Sequence, residues 1–274
     1  MRLEPVYNCF FSVIKNNHRN LIESRLIVKD DKYQIDYEDF EKKLKENKPK
    51  LFILCNPHNP VGRVWTHEEL TKVSELCKKY NVQIISDEIH CDITSPNIEY
   101  VPMFNIDESV ITCLSPSKAF NIAGIQSSVV VIKDKATHDL IQAAFYHDDI
   151  GEPNVFAIDP IIEAFTSGEE WIKELNDYLE INKQEVASFL KRELPNVKML
   201  YAEGTYLLWL DISYYSNNAE EFSKDLRVKT GLFVSSGHIY GDNSHIRFNV
   251  GTSLHNVKDG LNRLKQYISM LEDK

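Results

Sequence analysis

The sequence predicts an α/β fold: a mostly parallel central sheet with helices on both faces, followed by a smaller α+β domain. Two observations predict it. From residue 38 onward, apolar runs of strand length alternate with amphipathic helical stretches, the pattern of strands joined by covering helices. From about Pro153 the texture changes to two helical stretches, and then to short strands mixed with helices.

The elements follow in order. "KLFILC" (50 to 55) reads as a buried strand. After the loop "NPHNPVGRVW" comes Thr66 with Glu69 three residues on, a capping box that opens a helix running to about Tyr80. "VQIIS" (82 to 86) is the next strand and ends at Asp87; "SVITCL" (109 to 114) ends at "SPSK", and "SSVVVI" (127 to 132) completes the series. Of the two helical stretches, the second, "GEEWIKELNDYLEINKQEVASFLKREL" (168 to 194), is long, has apolar residues three and four apart, and reads as a spine linking domains. Strands at "VKMLY" and "TYLLWLDI", a helix near 218 to 229, short strands at "LFVSS" and "HIRFNV" and a closing helix from about Leu254 make up the rest. The domain division expected is 1–165 and 166–274.

Composition narrows the class. The 274 residues are 43% hydrophobic and 26% charged, ordinary for a globular chain, and no repeat or low-complexity segment stands out. The formal net charge is -10 with no basic stripe, which argues against nucleic acid. No window approaches the apolar length of a membrane helix, so a cytoplasmic protein is expected. The five cysteines are odd in number and without CxxC spacing; buried, reduced thiols are expected, and neither a disulfide framework nor a metal site.

Ligands of open α/β sheets bind beyond the carboxyl ends of the strands, where Asn56, Asp87 and Lys118 fall. Lys118, among small polar residues after an apolar strand, reads either as a solvent-facing loop lysine or as a reactive amine able to hold an aldehyde as a Schiff base. Ser115 and Ser117 offer hydroxyls for a phosphate, or are loop serines. Asp87, beside Glu88 and His90, reads as a turn cap or as the partner of a protonated ring nitrogen. Asn56 is a turn former or an amide donor. Arg247 in "HIRFNVG" alternates with apolar neighbours, so it shares a face with Asn249 while Ile246 and Phe248 take the other. It is a surface ion-pair residue or a fork for a carboxylate.

Taken together, "PVYNCF", "NPHNPVGRVW", "SDEIHCDI", "SPSKAFNIAG", "GTYLLWLD" and "HIRFNVG" occur in the order found in pyridoxal-phosphate (PLP) enzymes of the class I/II aminotransferase superfamily, fold type I, which the whole chain resembles. The forms "NPHNPVG", "DEIHCD" and "SKAFNIAG" are most similar to the cystathionine β-lyase, or C–S lyase, branch. The resemblance implies that Lys118 binds PLP covalently and shuttles the α-proton, Asp87 pairs with the pyridine nitrogen, and Asn56 bonds the ring oxygen and neighbours the substrate. His90 would sit close by, Tyr7 would stack on the ring, Ser115 and Ser117 would contact the phosphate, and Arg247 would clamp the substrate carboxylate. It implies residues 1–165 as a PLP-binding part, a homodimer, and β-elimination from L-cystathionine or cysteine S-conjugates to a thiol, pyruvate and ammonia. The alternatives are an aminotransferase on the same scaffold, or a truncated homologue inactive by itself. Family members carry an N-terminal arm, a helix and a phosphate-gripping loop ahead of "PVY"; this chain is expected to lack them and to leave a strand edge unpaired.

Overall fold

A computed structural model describes residues 1–150 and 152–272. The chain runs β1 (Arg2–Glu4), α1 (Cys9–Asn16), β2 (Glu23–Lys29), β3 (Lys32–Ile35), α2 (Tyr37–Asn47), β4 (Leu51–Cys55), α3 (His67–Lys79), β5 (Gln83–Asp87), α4 (Met103–Ile106), β6 (Ile111–Leu114) and β7 (Val129–Val131). It continues through α5 (Lys135–His147), α6 (Val155–Ser167), α7 (Glu169–Glu193), β8 (Lys198–Met199), β9 (Leu207–Asp211), α8 (Ala219–Thr230), β10 (Ser235–Ser236), β11 (His245–Asn249) and α9 (Leu254–Glu272).

The first seven strands form one sheet in the order β3-β2-β1-β4-β5-β6-β7, and β2, β1, β4, β5 and β6 run parallel. The remaining four form an antiparallel sheet in the order β10-β11-β9-β8. Parallel strands need covering helices, and the apolar faces of α2 (Phe40, Leu44) and α3 (Leu70, Val73, Cys77) meet Phe52, Leu54 and Ile84 of the sheet in one buried cluster. Leu179, Val186 and Leu190 of α7, with residues of α8 and α9, enclose Leu208, Leu210 and Ile246 in a second.

The predicted capping box is present: Thr66 Oγ1 accepts from the Glu69 N–H and the Glu69 carboxylate accepts from the Thr66 N–H. That cap fixes where the "NPHNPVGRVW" loop ends. Within the loop, Gly62 has φ of +74°, and a Cβ there would lie 2.5 Å from the Ala202 Cβ. Only glycine lets the loop press onto the chain entering β9, where the Gly204 N–H donates to the Gly62 carbonyl at 2.8 Å. Arg63 adds a buried ion pair across the same junction, to Glu203 at 2.7 Å and to Glu69 at 2.7 Å.

Three differences from expectation have physical causes. β7 runs antiparallel to β6, because residues 115–128 contain no helix long enough to carry the chain back across the sheet. The β2–β3 hairpin turns on Asp30 and Asp31, both with positive φ (52° and 54°), a turn geometry that usually announces itself with glycine. Among the thiols only Cys55 and Cys77 are buried; Cys9 is exposed at the start of α1, and Cys91 and Cys113 are partly exposed. No helix among the described residues is long and apolar enough to cross a membrane.

Candidate active site

Because β1, β4, β5 and β6 are parallel neighbours, the loops that follow them meet at one sheet edge. Tyr7 comes from the loop after β1, Asn59 from that after β4, Asp87 and His90 from the end of β5, and Ser117 and Lys118 from the turn after β6. Arg247 and Asn249 of β11, and Tyr206 at the entrance to β9, close the opposite side. Together they line a cavity of about 470 Å³, within the range of small-molecule sites.

Among the described residues the charged groups of this cavity form no ion pairs, although the Lys118 charge acts on Asp87 and favours its carboxylate. Lys118 makes no hydrogen bond or ion pair with a described residue. Asp87 forms no ion pair among them; its carboxylate accepts from the Ile89 N–H at 3.2 Å, and burial pushes its pKa up to about 6, with Glu88 adding like-charge repulsion. Arg247 forms no ion pair with a carboxylate among the described residues. It donates to Asn59 Oδ1 at 3.2 Å and to Ser235 Oγ at 3.4 Å, and lies over the Tyr240 ring at 4.7 Å; burial lowers its pKa.

His90, only 4% exposed, has an unpartnered Nδ1 and lies edge-on to Tyr206. Burial first, then the charges of Lys118 and Arg247, pull its pKa down to about 3, so the imidazole is neutral. The Cys9 thiol beside its hydroxyl and then burial push the Tyr7 phenol up to about 12.

Of the sequence-predicted residues, Tyr7, Asp87, His90, Ser117, Lys118 and Arg247 line this cavity. Asn56 does not: it is fully buried, its Nδ2 donates to the Val101 carbonyl at 3.1 Å and its Oδ1 accepts from the Trp65 N–H at 3.3 Å. The second asparagine of "NPHNP", Asn59, takes the place at the cavity that the sequence reading gave to the first. Ser115 is also turned away, with its hydroxyl donating to the Ser127 carbonyl at 2.8 Å and accepting from the Ser117 N–H at 3.2 Å. Sequence reasoning missed Asn59, although it lies in the same motif. It quoted Tyr206 inside "GTYLLWLD" and paired Asn249 with Arg247 by alternation, without naming either as a site residue.

Residues 3–264 match the family described as aminotransferase class I and II. The chain belongs to that family. It is 38% identical over 271 residues to cystathionine beta-lyase PatB of Bacillus subtilis, covering 97% of this chain and 70% of that protein. It superposes on a PLP-bound C-S lyase from Staphylococcus hominis with a TM-score of 0.92 and 34% identity, covering 97% of this chain and 69% of the other. A PLP-bound putative aminotransferase from Clostridium difficile 630 gives a TM-score of 0.92 and 40% identity, covering 98% and 70%. Members of this PLP-dependent family are enzymes, and the cavity fits the cofactor: a free lysine amine, a carboxylate raised by burial, an aromatic ring at Tyr7 and a guanidinium without an acid converge there.

Proposed function

We propose that this chain is a PLP-dependent carbon–sulfur β-lyase that cleaves L-cystathionine or related cysteine S-conjugates to a thiol, pyruvate and ammonia. The observation that carries the reading is the identity to a cystathionine beta-lyase over 97% of the chain, joined to a cavity in which Lys118, Asp87 and Arg247 converge. Residues 1–165 are read as the part that holds the cofactor, and 166–274 as the spine helix with the smaller domain; the two separate sheets support that division. A cytoplasmic homodimer belongs to the same reading.

Lys118 Nζ would hold PLP, Asp87 would accept a hydrogen bond from its ring nitrogen, Asn59 would donate to its ring oxygen, and Tyr7 would cover its face. Bound there, PLP supplies an electron sink for charge developing at the substrate Cα. Arg247 binds the substrate carboxylate with its fork, already oriented by Asn59 Oδ1 and Ser235 Oγ. Once the substrate amine has displaced it, the freed Lys118 Nζ takes the Cα proton of the bound amino acid. The β-carbon–sulfur bond then breaks with the electron pair leaving on sulfur, the thiolate takes up a proton, and one water hydrolyses the remaining three-carbon enamine to pyruvate and ammonia. The buried, uncharged His90 adds no further positive charge to the cavity that holds Arg247.

The assay is pyruvate release from L-cystathionine by the PLP-loaded protein, with Lys118→Ala as control. Release by the wild type and none by the variant is expected. Keto-acid-dependent amino transfer without pyruvate would refute the lyase reading in favour of a transaminase, the activity named for the Clostridium difficile relative.

A further inference from the structure

The segments that carry Lys118, Asp87 and His90, Tyr206, and Arg247 are each hydrogen-bonded to α7; those of Tyr7 and Asn59 are not among its partners. Trp171 Nε1 donates to the Ala119 carbonyl at 2.9 Å, one residue past Lys118. Asn176 Nδ2 donates to the Asp92 carbonyl at 2.9 Å, on the segment that carries Asp87 and His90. Lys183 Nζ donates to Ser95 Oγ and to the Ala202 carbonyl, both at 2.9 Å, and so ties the far end of that segment to the one leading into Tyr206. Asn182 Nδ2 donates to the Val250 and Thr252 carbonyls, both at 2.9 Å, just past Arg247 and Asn249.

Packing alone does not call for these side chains. Lys183 is 3% exposed and has no carboxylate among its hydrogen-bond partners; burial draws its pKa down to about 8, opposed only by Glu180 on the same helix. An apolar residue of similar length would fill that space without a buried charge. The amides likewise carry a cost, since Asn176 Oδ1 and Asn182 Oδ1 are buried without a partner. What the four side chains share is donors aimed at backbone or hydroxyl oxygens of segments that bear cavity residues.

We propose that Trp171, Asn176, Asn182 and Lys183 are positioning residues, and that α7 sets the relative placement of Lys118, Asp87, Tyr206 and Arg247 through them. The inference rests on the reading of the cavity as the PLP site.

The test is a PLP titration followed by visible absorbance, with the thermal midpoint of the apoprotein measured beside it, for wild type, Lys183→Met and Trp171→Phe. Lys183→Met is expected to keep or raise Tm while weakening PLP binding about tenfold or more, because removing the ammonium relieves a buried charge but unties two segments. Trp171→Phe loses one donor from a half-exposed side chain; Tm is expected to hold while PLP affinity falls at least about threefold. Unchanged affinity in both variants overturns the proposal, and so does a loss of affinity that only tracks a fall in Tm. Should Lys183→Met fail to fold, Trp171→Phe decides by the same readouts. If the wild type itself binds no PLP, the functional reading fails and this inference falls with it; wild-type binding with indifferent variants sinks this inference alone.

Discussion

Arg247→Lys tests the substrate clamp without removing its charge. In the structure the guanidinium is held by three contacts, Asn59 Oδ1 at 3.2 Å, Ser235 Oγ at 3.4 Å and the Tyr240 ring at 4.7 Å, leaving its remaining donors for a carboxylate. Lysine keeps one positive charge but presents no planar fork, so one charge-assisted hydrogen bond to the substrate is lost. Such a bond is worth about 1.5–3 kcal/mol, which converts to a fall in kcat/KM of about 10- to 150-fold. Because Arg247 has no acid partner among the described residues, PLP affinity and Tm should hold. The assay is the kcat/KM for pyruvate release from L-cystathionine, with PLP affinity measured on the same preparation. A kcat/KM within about threefold of wild type would refute the assignment of Arg247, and so would a loss explained entirely by weaker PLP binding.

Three further predictions rest on other parts of the structure. Asp87, raised from 3.8 to about 6, favours its protonated form in the folded apoprotein, so its contribution is complete below about pH 4 and is lost as pH rises through 6. Asp87→Asn should therefore stabilise the apoprotein at pH 7 by about 3 kcal/mol while abolishing lyase activity, read by denaturant melts at pH 4 and 7; no difference from wild type at pH 7 would contradict it. Glu203→Ala leaves Arg63 buried without one of its two carboxylates and should cost about 3 kcal/mol in urea unfolding, and a cost under about 1 kcal/mol would mean that the junction does not depend on the pair. Asn59→Ala should weaken PLP binding with little change in Tm, whereas Asn56→Ala, which strands the buried Trp65 N–H, should lower Tm; the reverse pattern would restore the first asparagine to the site.

Much of the fold was legible because local chemistry and tertiary demand agree. Thr66 and Glu69 close a capping box wherever the helix they open is packed, and "HIRFNVG" alternates because one face of β11 is core, with Ile246 at 0% and Phe248 at 4% exposed. Four of the family motifs converge on one cavity because each stands at the end of a parallel strand, β1, β4, β5 or β6; "GTYLLWLD" and "HIRFNVG" reach it from the antiparallel sheet. What the sequence could not separate were the two Asn-Pro pairs of one loop. Both read as turn formers, and only contacts distant in sequence separate them: Asn56 is tied to the Val101 carbonyl and the Trp65 N–H, and Asn59 accepts from Arg247 at the cavity.

The hydroxyl of Ser115 was ambiguous for the same reason, since its partner is a backbone carbonyl twelve residues on, supplied by the antiparallel return of the chain into β7. The β2–β3 hairpin stayed unread because an Asp-Asp turn carries little local signal. The four donors of α7 were hidden inside a helix whose apolar spacing was read, but whose polar residues look like an ordinary solvated face.

The most direct test of the central claim is the visible absorption spectrum of the purified protein with added PLP, recorded beside Lys118→Ala. A band from covalently held cofactor is expected in the wild type and is expected to be missing in the variant, because Lys118 is the only lysine lining the cavity among the described residues. A band of equal strength in both proteins, or in neither, would contradict it.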